Sequence, residues 1–191
     1  TLPPKSSCNK TVSGLLSGVE YYFRIWSKND SGYWSGISNA ATAQASTVSL
    51  SVEFSGGPYN FGTVPCKEST LSTRSFTITN TGNVNETFSL QAGVDSPWAI
   101  GGSGPGADEI AIQGVLHPSQ PNEGNIGSED YITTSDQNCT STRFSYDETE
   151  TGVNVPPDES RHVWYRLQTP LSTSSTSQMN LTLTINATMG E

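Results

Sequence analysis

Residues 14–41 constrain the fold more than any other part of the chain, because they predict paired strands of a sandwich with very little sequence before them. One side of the first strand is apolar at every second position, through Tyr21, Phe23 and Ile25. That period is typical of a half-buried β-strand. Residues 29–32 supply the Asn, Asp, Ser and Gly of a hairpin turn, and a second strand is predicted over about residues 37–45.

The turn before the first strand carries a specific pattern. Leu15 lies six residues before Tyr21, with Gly18 between them, a spacing that suits a core leucine and a tyrosine hydroxyl bonded back to the backbone. Residues 8–47 thereby resemble the closing strands of a fibronectin type III module. The resemblance implies about seven strands in two sheets, yet only residues 8–12 offer another candidate strand upstream.

Residues 1–47 are therefore predicted to be a partial fibronectin type III-like domain. Half a sandwich leaves an apolar face and strand edges uncovered, so this domain is not expected to fold stably alone. Three explanations stay open. The chain is a fragment of a longer protein, or a neighbouring subunit supplies the missing strands, or these strands extend the sheet of the second domain.

Residues 48–191 predict a second domain of short strands between Gly, Pro, Asn and Ser turns. Alternating apolar positions mark strands at about residues 48–54, 76–80, 88–90, 161–167 and 181–186. Phe61, Gly62 and Val64, followed by the sequence TNTGN at 79–83, resemble the immunoglobulin-like repeat modules of bacterial surface and secreted proteins. The predicted fold class is all-β, an immunoglobulin-like antiparallel β-sandwich preceded by a partial fibronectin type III-like sandwich. Long loops between residues 92 and 154 depart from a minimal repeat, and if this domain has a function of its own, these loops are the expected place for it.

Charge is distributed unevenly between the two domains. Residues 1–47 carry four basic and two acidic side chains, a net charge of +2, whereas the rest of the chain carries five basic and 16 acidic ones, a net charge of −11. Nucleic-acid binding needs clustered Lys and Arg, so it is not an expected function. No apolar run approaches the roughly 20 residues of a membrane-spanning helix, so membrane insertion is not expected either.

The cysteines and two asparagines are candidate modification sites. Cys8, Cys66 and Cys139 lack the spacings of zinc or redox sites. In an exported domain Cys66 and Cys139 are the candidate disulfide, with Cys8 left over, and the alternative is three free thiols. Asn180 and Asn186 stand in Asn-x-Thr sequons in the outward phase of the last predicted strand, so they are the candidate glycosylation sites.

Catalytic and metal-binding patterns are weak. His117 and His162 have no catalytic or metal-ligand spacing around them, and no GxSxG, HExxH or phosphate-binding loop is present. His162 falls in the polar phase of its strand and is expected at the surface. We therefore predict that the chain is not an enzyme and holds no cofactor. Calcium is the alternative for the acidic loops at 108–109, 129–130, 136 and 147–148, although no Asp-x-Asp-x-Asp-Gly loop supports it.

The first strand also carries aromatic and basic side chains on its other face. Tyr22, Arg24 and Trp26 share that face, and Trp34 lies in the following hairpin. Aromatic rings can hold sugars, and Arg24 between two rings allows cation–π contacts. These four residues form the candidate ligand face. The alternative is an aromatic–arginine ladder that covers the sheet or packs on a neighbouring module.

Together these patterns predict a non-enzymatic structural or adhesive module of a larger surface or secreted protein, located outside the cell or at its surface. Its expected partners are neighbouring modules or subunits of the same protein. Two alternatives stay open. One is a subunit of an extracellular filament or sheath completed by strand exchange between neighbours. The other is a carbohydrate-binding accessory module of a secreted hydrolase, whose partner would be a glycan.

Overall fold

A computed structural model describes residues 10–190, and the chain divides into two compact units, Thr1–Val48 (unit 1) and Ser49–Glu191 (unit 2). The fold class is confirmed at the level of an all-β protein with antiparallel sheets that form a β-sandwich. Across residues 10–190 no helix has the length and hydropathy that a bilayer span requires. The first part of the predicted strand at 8–12, together with Cys8, lies outside the described residues.

Unit 1 is a pair of antiparallel strands, β1 (Glu20–Phe23) and β2 (Ala41–Gln44). Both are shorter than predicted. Beyond β1 the chain stays paired only at intervals, because Ser27 accepts a hydrogen bond from the Ser35 amide and Lys28 bridges Trp34. The unit is therefore one irregular hairpin with a regular stretch of four residues on each side.

The predicted tyrosine contact is present in unit 1. The Leu16 amide donates a hydrogen bond of 2.7 Å to the Tyr21 hydroxyl, which ties the turn at Gly18 to β1. Gly18 has a φ of +75°, a left-handed conformation that glycine adopts without strain. The tyrosine thus fixes where the chain enters the hairpin.

Unit 2 holds two packed sheets. Within the described residues its elements are two 3-10 turns, η1 (Glu123–Asn125) and η2 (Ser128–Asp130), and the strands β3 (Val52–Ser55), β4 (Ser69–Leu71), β5 (Phe76–Asn80), β6 (Glu86–Val94), β7 (Ala99–Ile100), β8 (Glu109–Leu116), β9 (Tyr131–Ile132), β10 (Gln137–Asn138), β11 (Ser160–Gln168) and β12 (Leu181–Met189). The larger sheet has the order β3-β5-β11-β8-β7, with β4 on β11 and β9 on β8. The smaller sheet has the order β10-β6-β12.

The core lies between these sheets and follows the predicted alternation. Its fully buried side chains include Ile78 from β5, Phe88 and Leu90 from β6, Ile112 and Leu116 from β8, and Val163 and Tyr165 from β11. Inward residues of β12, such as Leu183 and Ile185, pack against this cluster but stay half-buried. The strands predicted near residues 76–80, 88–90, 161–167 and 181–186 are thus confirmed, each of them longer than or equal to the prediction.

The TNTGN segment forms a tight turn built around Asn80. Its side-chain amide donates to the Val84 and Val155 carbonyls, both at 2.8 Å, and its Oδ1 accepts from the Gly82 amide at 2.8 Å. Asn80 is fully buried, so its polar atoms need these partners. One side chain therefore fixes the β5–β6 connection.

The sequence indicates a strand that ends at His117, before Pro118, without giving its start. β8 (Glu109–Leu116) is that strand, and it is buried on both faces. Ile112 and Leu116 belong to the sandwich core, whereas on the other face Val115 is also fully buried, beside its cross-strand neighbour Trp164. Residues 118–130 lie against this face, because the Gln113 side chain donates to the Gly127 carbonyl and the Arg166 side chain donates to the Glu123 carbonyl. They therefore act as a structural cover over the outer face of the larger sheet.

Candidate functional site

The candidate ligand face of unit 1 is open to solvent. Tyr22, Trp26 and Trp34 are 70%, 52% and 61% exposed, and Arg24 is exposed as well. No ring-to-ring contact joins these aromatic side chains within residues 10–190. The rings are thus available to a ligand, but they do not form a preassembled stack.

Two neighbouring charges touch this face. The Lys28 ammonium lies 5.4 Å from the centroid of the Trp34 ring, a cation–π distance, and its backbone pairs with that of Trp34. Tyr22 donates a hydrogen bond of 2.9 Å to the Glu20 carboxylate. We name the five residues Tyr22, Arg24, Trp26, Lys28 and Trp34 the aromatic–basic face.

Apolar exposure in unit 1 extends well beyond these rings. Ile25 is 72% exposed, Leu16 is 70% exposed, and only Leu15, Tyr21, Phe23 and Ala45 of the described residues of the unit are even partly buried. Its exposed large apolar residues are Val12, Leu16, Val19, Tyr22, Ile25, Trp26, Tyr33, Trp34, Ile37 and Val48. We call this set the apolar surface of unit 1.

Unit 2 has a shallow, open cleft of about 350 Å³ between two of its loops. The side chains around it are almost all polar: Asn125, Glu129, Ser141, Thr142, Ser145, Tyr146 and Glu148. The Ser145 hydroxyl is buried and has no hydrogen-bond partner within the described part of the chain. Hydroxyl, amide and carboxylate groups of this kind can hydrogen-bond a small polar molecule.

Asp130 lies buried in the loop that forms one wall of the cleft. Its Oδ2 accepts from the Gly127 amide and its Oδ1 from the Phe144 amide, each at 2.7 Å. Burial disfavours the charged form and raises the pKa of Asp130 to about 6, against the opposing effect of the two amides. The carboxylate therefore joins the 118–130 loop to the segment between β10 and β11, through Phe144.

Each histidine of unit 2 is paired with a carboxylate that is distant in sequence. His117 Nε2 lies 3.3 Å from Asp147 Oδ2, and His162 Nδ1 lies 2.9 Å from Glu150 Oε1. The Thr149 amide, and to a lesser degree His117, lower the pKa of Asp147. The expectation that His162 lies at the surface fits its side chain, which is 40% exposed. His117 is nine-tenths buried, and its pairing with Asp147 was not visible in the sequence.

The acidic loops considered for calcium do not converge. Within residues 10–190 no group of three or more His, Cys, Asp or Glu side chains is placed to hold a metal ion. Glu129 and Glu148 both border the cleft, while Asp108 binds the Ser174 amide at another loop. Asp108 is thus used in a local loop contact and not in a shared site.

The candidate disulfide is a wrong prediction. Cys66 and Cys139 are both free thiols, the first exposed in the turn before β4 and the second buried. Cys139 lies against Gly152, and burial raises the pKa of its thiol to about 12. One thiol belongs to the surface and the other to the core, so their side chains do not meet.

Both candidate glycosylation sites are exposed. Asn180 precedes β12 and donates its side-chain amide to Asp95 at 2.8 Å, while Asn186 lies on the outer face of β12. Sugar attachment at either residue stays a prediction. The comparisons with known proteins add no constraint, because no family model matches the sequence and no curated protein gives a match.

Proposed function

We propose that this chain is a non-enzymatic structural and adhesive module of a larger surface or secreted protein. Unit 2 supplies a rigid sandwich, and unit 1 supplies a contact surface for neighbouring modules or subunits of the same protein. An extracellular or cell-surface location belongs to this proposal. It is supported by the module resemblances described above.

The observation that carries the proposal is the apolar surface of unit 1. A two-stranded ribbon is marginally stable in water, and it needs further strands or a packing partner to persist. Leu16, Ile25 and Trp34 are all more than half exposed. Burying the exposed two-thirds or so of these three side chains would contribute about 3 to 6 kcal/mol before the ordering costs are subtracted. Burial of apolar area therefore favours covering this surface with another polypeptide.

Charge supports a protein partner of the same kind. Residues 1–47 have a net charge of +2, and the remainder of the chain has a net charge of −11. A basic, apolar surface on one copy is thus complementary to the acidic unit of another copy. Contact of this head-to-tail type joins different surfaces and leads to open assemblies, so filament formation is a form of the same proposal.

A dye-binding experiment on the full chain tests whether the apolar surface is open. Anilinonaphthalene sulfonate is expected to fluoresce with the dilute protein, and Leu16→Asn is expected to lower that signal. Leu171→Asn is the matched control, since Leu171 is an exposed leucine of unit 2. Absence of dye binding, or an equal loss in both variants, would contradict the proposal.

Glycan binding at the aromatic–basic face is the second candidate function. It is favoured by the exposure of the Tyr22, Trp26 and Trp34 rings. On a glycan array the full chain would then bind a defined class of sugar, and Trp26→Ala or Trp34→Ala would remove that binding. A protein that binds no glycan on the array rules this candidate out.

A further inference from the structure

The last strand of unit 2, β12, is a nine-residue edge of the smaller sheet. It pairs with β6 alone within the described residues. At its two ends the bonds to β6 are made by even-numbered residues: the Asp95 amide donates to the Asn180 carbonyl, and the Gly190 amide donates to the Asn85 carbonyl. Because hydrogen-bonded pairs alternate along an antiparallel ladder, the odd-numbered residues of β12 direct their N–H and C=O groups away from β6.

The hydrogen bonds on the other side of β6 independently check which residues of β12 pair with it. Glu86 exchanges backbone hydrogen bonds with Val155 on the side opposite β12. Even-numbered residues of β6 therefore direct their backbone N–H and C=O groups toward that side, and odd-numbered residues direct theirs toward β12. Five β12 residues present an unpaired edge by this argument: Leu181, Leu183, Ile185, Ala187 and Met189.

This edge lacks the features that normally prevent strand pairing. Exposed edges are usually short, charged or interrupted by Pro or a bulge. The sequence of β12, LTLTINATM, has no charge, Pro or Gly. Among the other edges in the described residues, β10 and β7 have two residues each, and β3 has four, one of them Glu53.

The core is also less well covered beside β12 than elsewhere. Phe88, Leu90 and Ala92 of the neighbouring β6 are buried, whereas the inward side chains of β12 remain half-buried. The smaller sheet has three strands against the five-strand path of the larger one. A further strand beside β12 would extend the smaller sheet and cover these side chains.

We propose that the occupant is β12 of a second copy of this chain, paired antiparallel so that two three-stranded sheets become one six-stranded sheet. Full overlap of the two strands centres on Ile185. Thr182 then faces Thr188 of the other copy, and Thr184 faces Asn186, all on the outer surface. Cross-strand pairs of Thr with Thr or Asn are favourable, and no like charges oppose each other.

The absence of charge on β12 suits an uncharged strand such as β12 itself, and the net charge of the chain sets the salt dependence. Each copy has a net charge of −9, so two copies repel each other overall, and β12 adds no charge of its own to that repulsion. Screening should therefore strengthen the dimer as salt is added. One pair of strands is a small interface, so the dimer is expected to be weak, populated at roughly 10 µM to 1 mM.

Cysteine cross-linking tests the register in the full chain, produced without glycans and with Cys8→Ser and Cys66→Ser. The pairs on the outer surface are non-hydrogen-bonded, with Cα atoms close enough for a disulfide. An oxidised mixture of Thr184→Cys and Asn186→Cys chains should form a heterodimer. A mixture of Thr182→Cys and Asn186→Cys chains should not, because residue 182 faces residue 188. Equal cross-linking in both mixtures, or none in either, would overturn the proposal.

Two double variants at residues 184 and 186, which differ only in the charge at residue 186, test the pairing separately from any effect on folding. Thr184→Lys with Asn186→Lys places lysines opposite each other twice, and sedimentation should show a dimer at least about tenfold weaker. Thr184→Lys with Asn186→Glu should restore dimerisation, since each lysine then faces a glutamate. Both doubles alter exposed side chains only. Equal dimerisation by the two doubles, or a wild-type monomer at the highest concentration and salt, would overturn the proposal. Because the contact uses unit 2 alone, Leu16→Asn should leave it unchanged.

Discussion

Replacing the buried carboxylate of Asp130 with an amide should change how the stability of unit 2 depends on pH. In the folded protein burial raises the pKa of Asp130 from 3.8 to about 6. Between these two values the folded state holds a proton that the unfolded state has lost. The free energy of unfolding therefore falls as pH rises through this window, and Asp130→Asn, which has no proton to lose, escapes the fall.

The size of the effect follows from the shift of the pKa. A shift from 3.8 to about 6 corresponds to about 3 kcal/mol in full, of which about 2 kcal/mol is lost between pH 4 and pH 7. The variant also gives up one acceptor, since an amide can accept only one of the two hydrogen bonds from Gly127 and Phe144. That loss costs about 1 to 3 kcal/mol at every pH. The pH-dependent change in the free energy of unfolding can thus be separated from this constant loss.

Urea unfolding at pH 4 to pH 7 measures this difference. Trp164 is 8% exposed in unit 2 and should give the fluorescence change, while Trp26 and Trp34 are exposed before unfolding begins. Asp136→Asn removes an exposed carboxylate and is the control. Relative to Asp130→Asn, the wild-type protein should lose about 2 kcal/mol over this range. Parallel pH profiles for the two proteins would refute the reasoning.

Three further predictions concern single contacts. Tyr21→Phe removes the acceptor of the Leu16 amide, so NMR should find that amide exchanging about fivefold faster; an unchanged rate would mean that the contact does not hold the turn. Gly152→Ala would put a Cβ 2.5 Å from the Cys139 sulfur. Urea unfolding should therefore show that the free energy of unfolding falls by about 1 to 3 kcal/mol. A variant as stable as the wild-type protein would show that the core has space for the added methyl group. A thiol reagent should label exposed Cys66 in the native protein and buried Cys139 only after unfolding; peptide mass spectrometry reads both sites, and rapid native labelling of Cys139 would contradict its burial.

The sequence predicted those parts of the fold in which one face of a strand is buried and the other is exposed to solvent. β5 and β12 have that alternation, and their inward residues are predicted correctly. β11 has the predicted inward residues Val163 and Tyr165, but Trp164 on its other face is buried as well. β8 has no such alternation, because residues 118–130 bury its outer face as well. A strand buried on both faces gives a continuous apolar run that periodicity does not reveal.

Side-chain partners were harder to predict than strands. The Tyr21 hydroxyl contact depends on a short local spacing, and it was predicted. The contact between His117 and Asp147 joins residues 30 positions apart, and only the folded loops bring them together. The same limit explains the wrong disulfide, since cysteine spacing does not say whether two Cβ atoms meet. The sequence places Asp130 among many acidic loop residues, and its burial depends on the folded loops that bring Gly127 and Phe144 against it.

The native mass of the full chain, measured by light scattering over a concentration series, tests the central claim most directly. The denatured chain has a mass of 20.4 kDa. If the apolar surface of unit 1 is a contact surface for other copies, the native mass should rise above that value with concentration. The Thr184→Lys, Asn186→Lys double variant should keep the part of this rise in mass that comes from unit 1. Adding Leu16→Asn to that double variant should suppress the remaining rise, and adding Leu171→Asn should not. A particle of one chain at every concentration, unaffected by Leu16→Asn, would contradict the account.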